Sequence, residues 1–241
     1  MNTFTYGQLL ESGLTPLMGH CYLNEPDCVH EVRDILQQNI GTNINAQEET
    51  DGATALIFAC ENGNVDVVRV LIDHGADVKL CRKDGTNALM ATMICVSDMD
   101  TAIKIAAVLL DVGCDVNASN TFGETALYQA CKWSMRARDR TNHDAFVKSE
   151  KEGSVRAVRF LVRSGANVNA RGACGSTILI DACGYTRLAS TGAVEYLLKH
   201  KADANARDAN RKTALMYARE RPDVYQNAEK AQLLIKYKAR E

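Results

Sequence analysis

Apolar residues between positions 65 and 72 recur at the spacing of a helix face. They fall three or four residues apart or side by side, at Val65, Val68, Leu71 and Ile72. Such spacing places them on one stripe of a helix and predicts that the stripe is buried. The Asn62-Gly63 pair just before them is typical of a turn. The pattern therefore predicts two short helices joined by a turn.

This helix pair is one copy of a block that recurs along the chain. The clearest copy begins at Asp51 as DGATALIFACENGNVDVVRVLIDHGADVKL, and the next opens at Asp84 and ends at Ala118. The glycines that open these copies, Gly52 and Gly85, are 33 positions apart. Six approximate copies are predicted, at 13–46, 49–81, 82–119, 120–171, 172–207 and 208–241.

The recurring residues resemble the ankyrin repeat, a turn with Gly and Thr-Pro-Leu-His, two helices, and a Gly-Ala-Asp-x-Asn-Ala hairpin. This chain has Thr-Ala-Leu or a variant at the start of each copy. The resemblance implies an all-α ankyrin-repeat solenoid of about six stacked helix-turn-helix repeats with β-hairpin loops, in one domain over 1–241. It also implies a non-catalytic module that grips another protein in a concave groove.

One copy carries a long insertion at about 134–152, SMRARDRTNHDAFVKSEKE. Several arginines lie there beside Phe146 and close to Trp133, the only tryptophan of the chain. Arginine and aromatic side chains are typical of binding hot spots, which favours an extension that contacts a partner. The alternative interpretation is that the stretch only lengthens two helices, with Trp133 packed against Phe146 and the charges solvated.

Composition limits the class of protein and of partner. Hydrophobic residues make up 46% and charged residues 24% of the chain, so we expect a folded protein. The net charge of -2 gives no general attraction to phosphate, which disfavours nucleic acid. The chain has no stretch that approaches the roughly 20 apolar residues of a membrane span. We therefore expect a soluble cytoplasmic protein, monomeric by itself, with no membrane partner and no cofactor.

The nine cysteines are better explained by packing than by disulfides. Four of them share one place near the end of the first helix and predict a buried ladder, Cys21, Cys60, Cys131 and Cys183.

His20, Cys28 and His30 add zinc-ligand types around Cys21, but their spacing matches no standard zinc finger. We therefore predict no metal site.

Four asparagines recur in the hairpin segments, Asn45, Asn117, Asn169 and Asn205. They resemble positions that some ankyrin proteins present to asparagine hydroxylases. The favoured interpretation is structural, because asparagine side chains readily hydrogen-bond the backbone of turns.

The sequence has no local signature of a catalytic site, so we predict no catalytic residues and no enzyme. The resemblance and the insertion give the partner-binding candidates Phe122, Glu124, Lys132, Trp133, Arg136, Arg138, Arg140, Phe146, Tyr185, Glu61 and Asn62. The predicted function is to bind and inhibit, sequester or scaffold another intracellular protein. The alternative is a small-molecule-binding protein or enzyme with a polar pocket near the insertion, motivated by Asp181, Tyr185 and Arg187.

Overall fold

The computed structural model describes residues 13–38, 42–132, 154–184, 190–220 and 227–240. Within these ranges the helices are α1 Pro16–Leu23, α2 Cys28–Gln38, α3 Ala55–Glu61, α4 Val65–Asp73, α5 Ala88–Cys95, α6 Met99–Asp111, α7 Ala126–Lys132, α8 over 154–163, α9 Ile178–Gly184, α10 Thr191–Lys199, α11 Ala214–Glu220 and α12 Asn227–Lys236. Odd-numbered helices are the first helices of their pairs. The chain divides into two compact units, Met1–Asp115 (unit 1) and Val116–Glu241 (unit 2).

A small polar residue begins each first helix because its side chain caps the free N–H groups of the first turn. Thr54 Oγ1 accepts a hydrogen bond from Ile57 N at 3.3 Å, and Asn87 Oδ1 accepts one from Met90 N at 2.9 Å. The same contact is made ahead of the other first helices by Thr15, Thr125, Thr177 and Thr213. The threonine of each Thr-Ala-Leu start is therefore a helix N-cap.

The first helices are buried on most sides because they pack against their partner and against neighbouring first helices. In unit 1, α3 contacts α1, α4 and α5, and its Leu56 and Ile57 are almost fully buried. The second helix α4 buries one stripe, made by Val67, Val68, Val70 and Leu71. The predicted stripe was right at Val68 and Leu71 but wrong at Val65 and Ile72, which are only half-buried.

The predicted cysteine ladder consists of side chains that are all buried, Cys21, Cys60, Cys131 and Cys183. Burial raises the pKa of all four thiols, to about 12 for Cys131 and Cys183. Since the thiolate is the reactive form of cysteine, these four residues serve as small core side chains.

Each hairpin asparagine joins its own loop to the loop of the following helix pair. Asn117 Nδ2 donates to Gly165 O at 3.1 Å, and its Oδ1 accepts from Asn167 N at 2.7 Å. The loops at 75–77, 201–203 and 238–240 are held in the same way by Asn45, Asn169 and Asn205. The structural role predicted for these asparagines is confirmed. In the copy that begins at Asp51, Lys79 occupies this position.

The predicted β-hairpins are present only as short turns closed by isolated bridges in the part of the chain that the structure describes. Among the described residues they appear as single antiparallel bridges, which join Cys81 to Asn87, Ser119 to Thr125 and Arg171 to Thr177. Each bridge closes the turn that precedes a first helix. The side chains at the tips of these turns, together with the exposed side chains of the first helices, form what we call the first-helix face of each unit.

Candidate functional site

The best-defined polar site of unit 2 is built on the first-helix face around α7. Glu124 precedes α7 and Lys132 ends it, and Lys132 Nζ lies 2.6 Å from Glu124 Oε1. Glu124 Oε2 accepts hydrogen bonds from Gln129 Nε2 at 2.7 Å and Asn120 Nδ2 at 3.3 Å. Burial acts to raise the pKa of Glu124, but Lys132 and the hydrogen bonds outweigh burial and lower it. Glu124 is therefore held as a carboxylate.

Asp181 on α9 extends this polar site. Its side chain is only 7% exposed, and its Oδ2 accepts a hydrogen bond from Ser176 Oγ at 2.9 Å. Burial raises the pKa of Asp181, against the opposing hydrogen bonds from Ser176 and Tyr128 and the charge of Lys132. We call this set the Glu124 cluster: Asn120, Glu124, Tyr128, Gln129, Lys132, Ser176 and Asp181.

The charged groups of the Glu124 cluster already have partners inside the unit. Lys132 Nζ lies 4.9 Å from the centroid of the Tyr128 ring, which adds a cation–π contact to its ion pair with Glu124. Burial and the charges of Asp181 and Glu124 raise the pKa of Tyr128, which therefore stays a neutral hydroxyl. Fixed donors and acceptors of this kind suit recognition of another molecule, since little entropy is lost when they bind.

Phe122 lies next to this cluster at the tip of its hairpin. Its side chain is 59% exposed, as expected of a residue that a partner could cover. Asn120 Oδ1 fixes the turn by accepting hydrogen bonds from Phe122 N at 3.0 Å and Glu124 N at 2.9 Å. The position of the aromatic ring is thus set by the same asparagine that holds Glu124.

Unit 1 has a different polar cluster on its first-helix face. Arg82 Nη2 donates to Glu61 Oε2 at 2.8 Å, and Arg82 Nε lies 3.3 Å from Asp51 Oδ2. Burial raises the pKa of Glu61, against the opposing charge of Arg82. The arginine was not a sequence candidate, because it follows Glu61 by 21 positions and no short-range pattern connects them. We call Asp51, Glu61 and Arg82 the Arg82 cluster.

Asn62, another candidate, uses its amide within unit 1. Its Nδ2 donates to Cys21 O at 2.8 Å and to Tyr22 O at 2.9 Å, two carbonyls in the last turn of α1. These bonds satisfy groups that a helix C-terminus leaves without intrahelical partners. Asn62 therefore has a structural role, and its contact with a partner stays a prediction.

The remaining candidates lie outside the described residues. They are Trp133, Arg136, Arg138, Arg140, Phe146 and Tyr185, together with Arg187 and the 134–152 extension. Their part in binding stays a prediction.

Three of the four possible zinc ligands in the first copy are buried or have a partner side chain. Cys21 and Cys28 are buried, and His20 Nδ1 lies 2.6 Å from Glu31 Oε2. Asn64 Nδ2 donates to Cys28 Sγ at 3.2 Å. Across the part of the chain that the structure describes, His, Cys, Asp and Glu form no group of three or more that could hold a metal ion.

Comparison with known proteins places the chain in a family. The family model for ankyrin repeats in three copies matches residues 17–119 and 143–240, so the chain belongs to the ankyrin-repeat family. An ankyrin repeat domain from Acinetobacter baumannii AYE matches with a TM-score of 0.69 and 27% identity, over 93% of this chain and 98% of that domain. The predicted all-α ankyrin-repeat fold is confirmed.

Curated relatives come from animals and viruses. Human ankyrin repeat and SOCS box protein 6 is 29% identical over 145 residues, which are 60% of this chain and 30% of that protein. An ankyrin repeat protein of Acanthamoeba polyphaga mimivirus is 32% identical over 176 residues, 64% of this chain and 41% of that protein. The chain thus spans well under half of the length of these relatives.

Membership in this family defines the general class of activity. Ankyrin repeats generally mediate protein–protein interaction and are non-catalytic modules. Among the helices of the described residues, none combines the length and apolar character needed to cross a bilayer.

Proposed function

We propose that this protein binds another protein through the first-helix face of unit 2, and inhibits, sequesters or scaffolds that partner without catalysis. The observation that carries the proposal is the exposed Phe122 ring beside the prearranged Glu124 cluster. Aromatic anchors surrounded by ordered polar groups are the usual centre of protein interfaces. Such a site gains affinity because its side chains are already in place before binding.

Within this function we favour inhibition or sequestration over scaffolding. A rigid repeat surface can cover a site on its partner by steric exclusion alone. The 134–152 extension, which follows α7 in the chain, would enlarge the covered area. Its arginines and the nearby Trp133 would add hot-spot contacts.

The alternative of a small-molecule site near the insertion has less support. Beside α7 the described residues enclose a cavity of about 10 Å³, lined in part by Tyr128, Asn167 and Gly172. A space of that size holds about one water molecule and no metabolite.

The test is affinity capture of the tagged full chain from its native cells, with mass spectrometry. We expect one stoichiometric partner with the unmodified chain, and recovery at least about tenfold lower with Phe122→Ala and Lys132→Ala combined. The matched control, Lys79→Gln with Lys104→Gln, changes two exposed lysines of unit 1 and should retain the partner. A parallel chain that lacks 134–152 measures the part played by the extension.

Circular dichroism must show that the double variant is still folded. If the folded variant retains the partner as well as the control does, the first-helix site is wrong. If the unmodified chain captures no protein, the small-molecule alternative gains weight instead.

A further inference from the structure

The two units carry opposite charges at the ends of most of their second helices; α2 of unit 1 is the exception, because it ends at the uncharged Gln38. In unit 1, α4 ends at Asp73 and α6 at Asp111. In unit 2, the matching residues at the ends of α8, α10 and α12 are Arg163, Lys199 and Lys236. All five side chains are exposed. A cation near a helix C-terminus favours the helix dipole, but the aspartates of unit 1 show that this fold does not require one.

Two residues beyond the ends of these second helices, unit 2 has lysine at two positions where the backbone conformation favours glycine. Gly75, Gly113 and Gly165 occupy this turn position with φ of 89°, 89° and 94°. The later copies have Lys201 and Lys238 there, with φ of 69° and 63°. Left-handed backbone is unfavourable for residues with a Cβ, so these lysines are retained at an energetic cost.

The side chains of these two lysines have no structural role that the fold requires. A Cβ added at Gly75, Gly113 or Gly165 would meet no atom within 4 Å, so this turn position faces open space. The contacts that hold the turns use only the lysine backbone. Asn169 Nδ2 donates to Lys201 O at 3.1 Å, and Asn205 Nδ2 donates to Lys238 O at 3.4 Å.

The charge difference extends over whole second helices and their following loops. The segments 65–80 and 99–115 of unit 1 carry six aspartates against three cations, Asp66, Asp73, Asp77, Asp100, Asp111 and Asp115 against Arg69, Lys79 and Lys104. The segments 154–170, 191–206 and 227–240 of unit 2 carry eight exposed cations against three carboxylates, Arg156, Arg159, Arg163, Lys199, Lys201, Lys236, Lys238 and Arg240 against Glu195, Asp203 and Glu229. We call Arg163, Lys199, Lys201, Lys236 and Lys238 the basic edge.

We propose that the basic edge of unit 2 binds an extended acidic segment of a partner protein. Its cations come from successive helices, which pack about 10 Å apart. Side chains on the same side of an extended peptide recur about every 7 Å, so Asp or Glu at alternate positions can reach them. Duplex DNA presents one negative charge about every 1.7 Å along its axis, which is much denser than the spacing of these cations. The segments of the basic edge also carry carboxylates, which would repel DNA phosphates.

Binding of an acidic segment is also favoured because most cations of the basic edge form no ion pair among the described residues. Among the described residues, the basic edge forms one ion pair, between Lys199 and Glu195, at 2.9 Å and exposed to solvent. An exposed pair of that kind exchanges readily for a partner carboxylate. The edge lies at the ends of the second helices and in the turns that follow them, so this proposal does not depend on the first-helix site of unit 2.

The experiment uses the full chain with Lys201→Gly and Lys238→Gly combined. Glycine suits both turn positions, so the melting temperature should stay the same or rise. Binding of a fluorescent poly-glutamate peptide at low salt should weaken about three- to tenfold. The matched control, Lys79→Gln with Lys104→Gln, removes the same charge from unit 1 and should leave the affinity unchanged.

Three binding results would overturn the proposal. They are absence of peptide binding to the unmodified chain, an equal loss of affinity in the control, and tighter binding to a DNA oligonucleotide or anionic lipid vesicle than to the peptide. A lower melting temperature of the double glycine variant would also contradict it, because the lysines would then be structural. Binding that weakens with added salt, together with an unchanged control, supports it.

Discussion

Unit 1 and unit 2 use one repeat plan but arrange their charges differently. In unit 1, Arg82 from one helix pair contacts Asp51 and Glu61 of the preceding pair. In unit 2, Lys132 contacts Glu124 of its own pair, across α7. The last pair repeats this contact with the signs exchanged, since Lys212 Nζ lies 2.7 Å from Glu220 Oε1.

The comparison separates what the fold requires from what the surface is free to change. Capping residues, buried cysteines and loop asparagines recur in both units because they stabilise the helix pairs and the contacts between successive pairs. Charged side chains differ in sign and in partner between equivalent positions. Charges that vary on a constant backbone are where we expect partner specificity to be encoded.

The largest expected effect concerns the shared core. Leu89 on α5 is fully buried, so Leu89→Ala should lower the free energy of unfolding by about 2–5 kcal/mol. Phe122→Ala should change stability by less than about 0.5 kcal/mol, because its ring is largely exposed. Urea denaturation of the full chain, followed by circular dichroism, measures both. Equal losses in the two variants would show that Phe122 packs in the core.

A second prediction contrasts a charged turn of unit 1 with a neutral one of unit 2. Glu48 accepts hydrogen bonds from Thr50 N, Asp51 N and Gly52 N, whereas Asn120 fixes its turn with a neutral amide oxygen. Burial acts to raise the pKa of Glu48, but the hydrogen bonds from Asp51 and Thr50 outweigh it and lower the pKa from 4.5 to about 2.

A carboxylate whose pKa is lowered by folding stabilises the fold at any pH above its pKa in the unfolded chain. That stabilisation is lost as the pH falls through its pKa in the folded protein. Glu48 should therefore contribute on the order of 2 kcal/mol above pH 4.5, and the contribution should disappear as the pH falls towards about 2. Urea titrations across this range should show a smaller pH dependence for Glu48→Gln. An identical slope in both proteins would contradict the role of Glu48.

The smallest effect concerns the loop that lacks an asparagine. Lys79→Asn would place an amide where Asn45 and Asn117 bridge successive loops, with the 113–115 loop as its partner. We expect a gain of about 1 kcal/mol in the free energy of unfolding. The converse change, Asn45→Lys, should lose a similar amount, measured by the same urea titration. No gain from Lys79→Asn would mean that the 113–115 loop cannot accept this bridge.

The candidate site was predictable from sequence only in part. Phe122, Glu124 and Lys132 were recognised because they occupy family positions on a hairpin tip and on a first helix. The partners that fix them, Asn120 and Gln129, were missed. Side-chain amides pair with whichever group the local backbone brings within about 3 Å, and residue type alone does not reveal that choice.

The sequence by itself determined the repeat and the burial of the cysteine ladder. Both follow from the period of the apolar residues and from the recurrence of the same residue types at one place in each copy. Only the tertiary structure decided that Arg82 contacts Glu61 and that the amide of Asn62 caps α1. Those contacts join residues 21 and 41 positions apart, and their geometry is set by how the helix pairs stack.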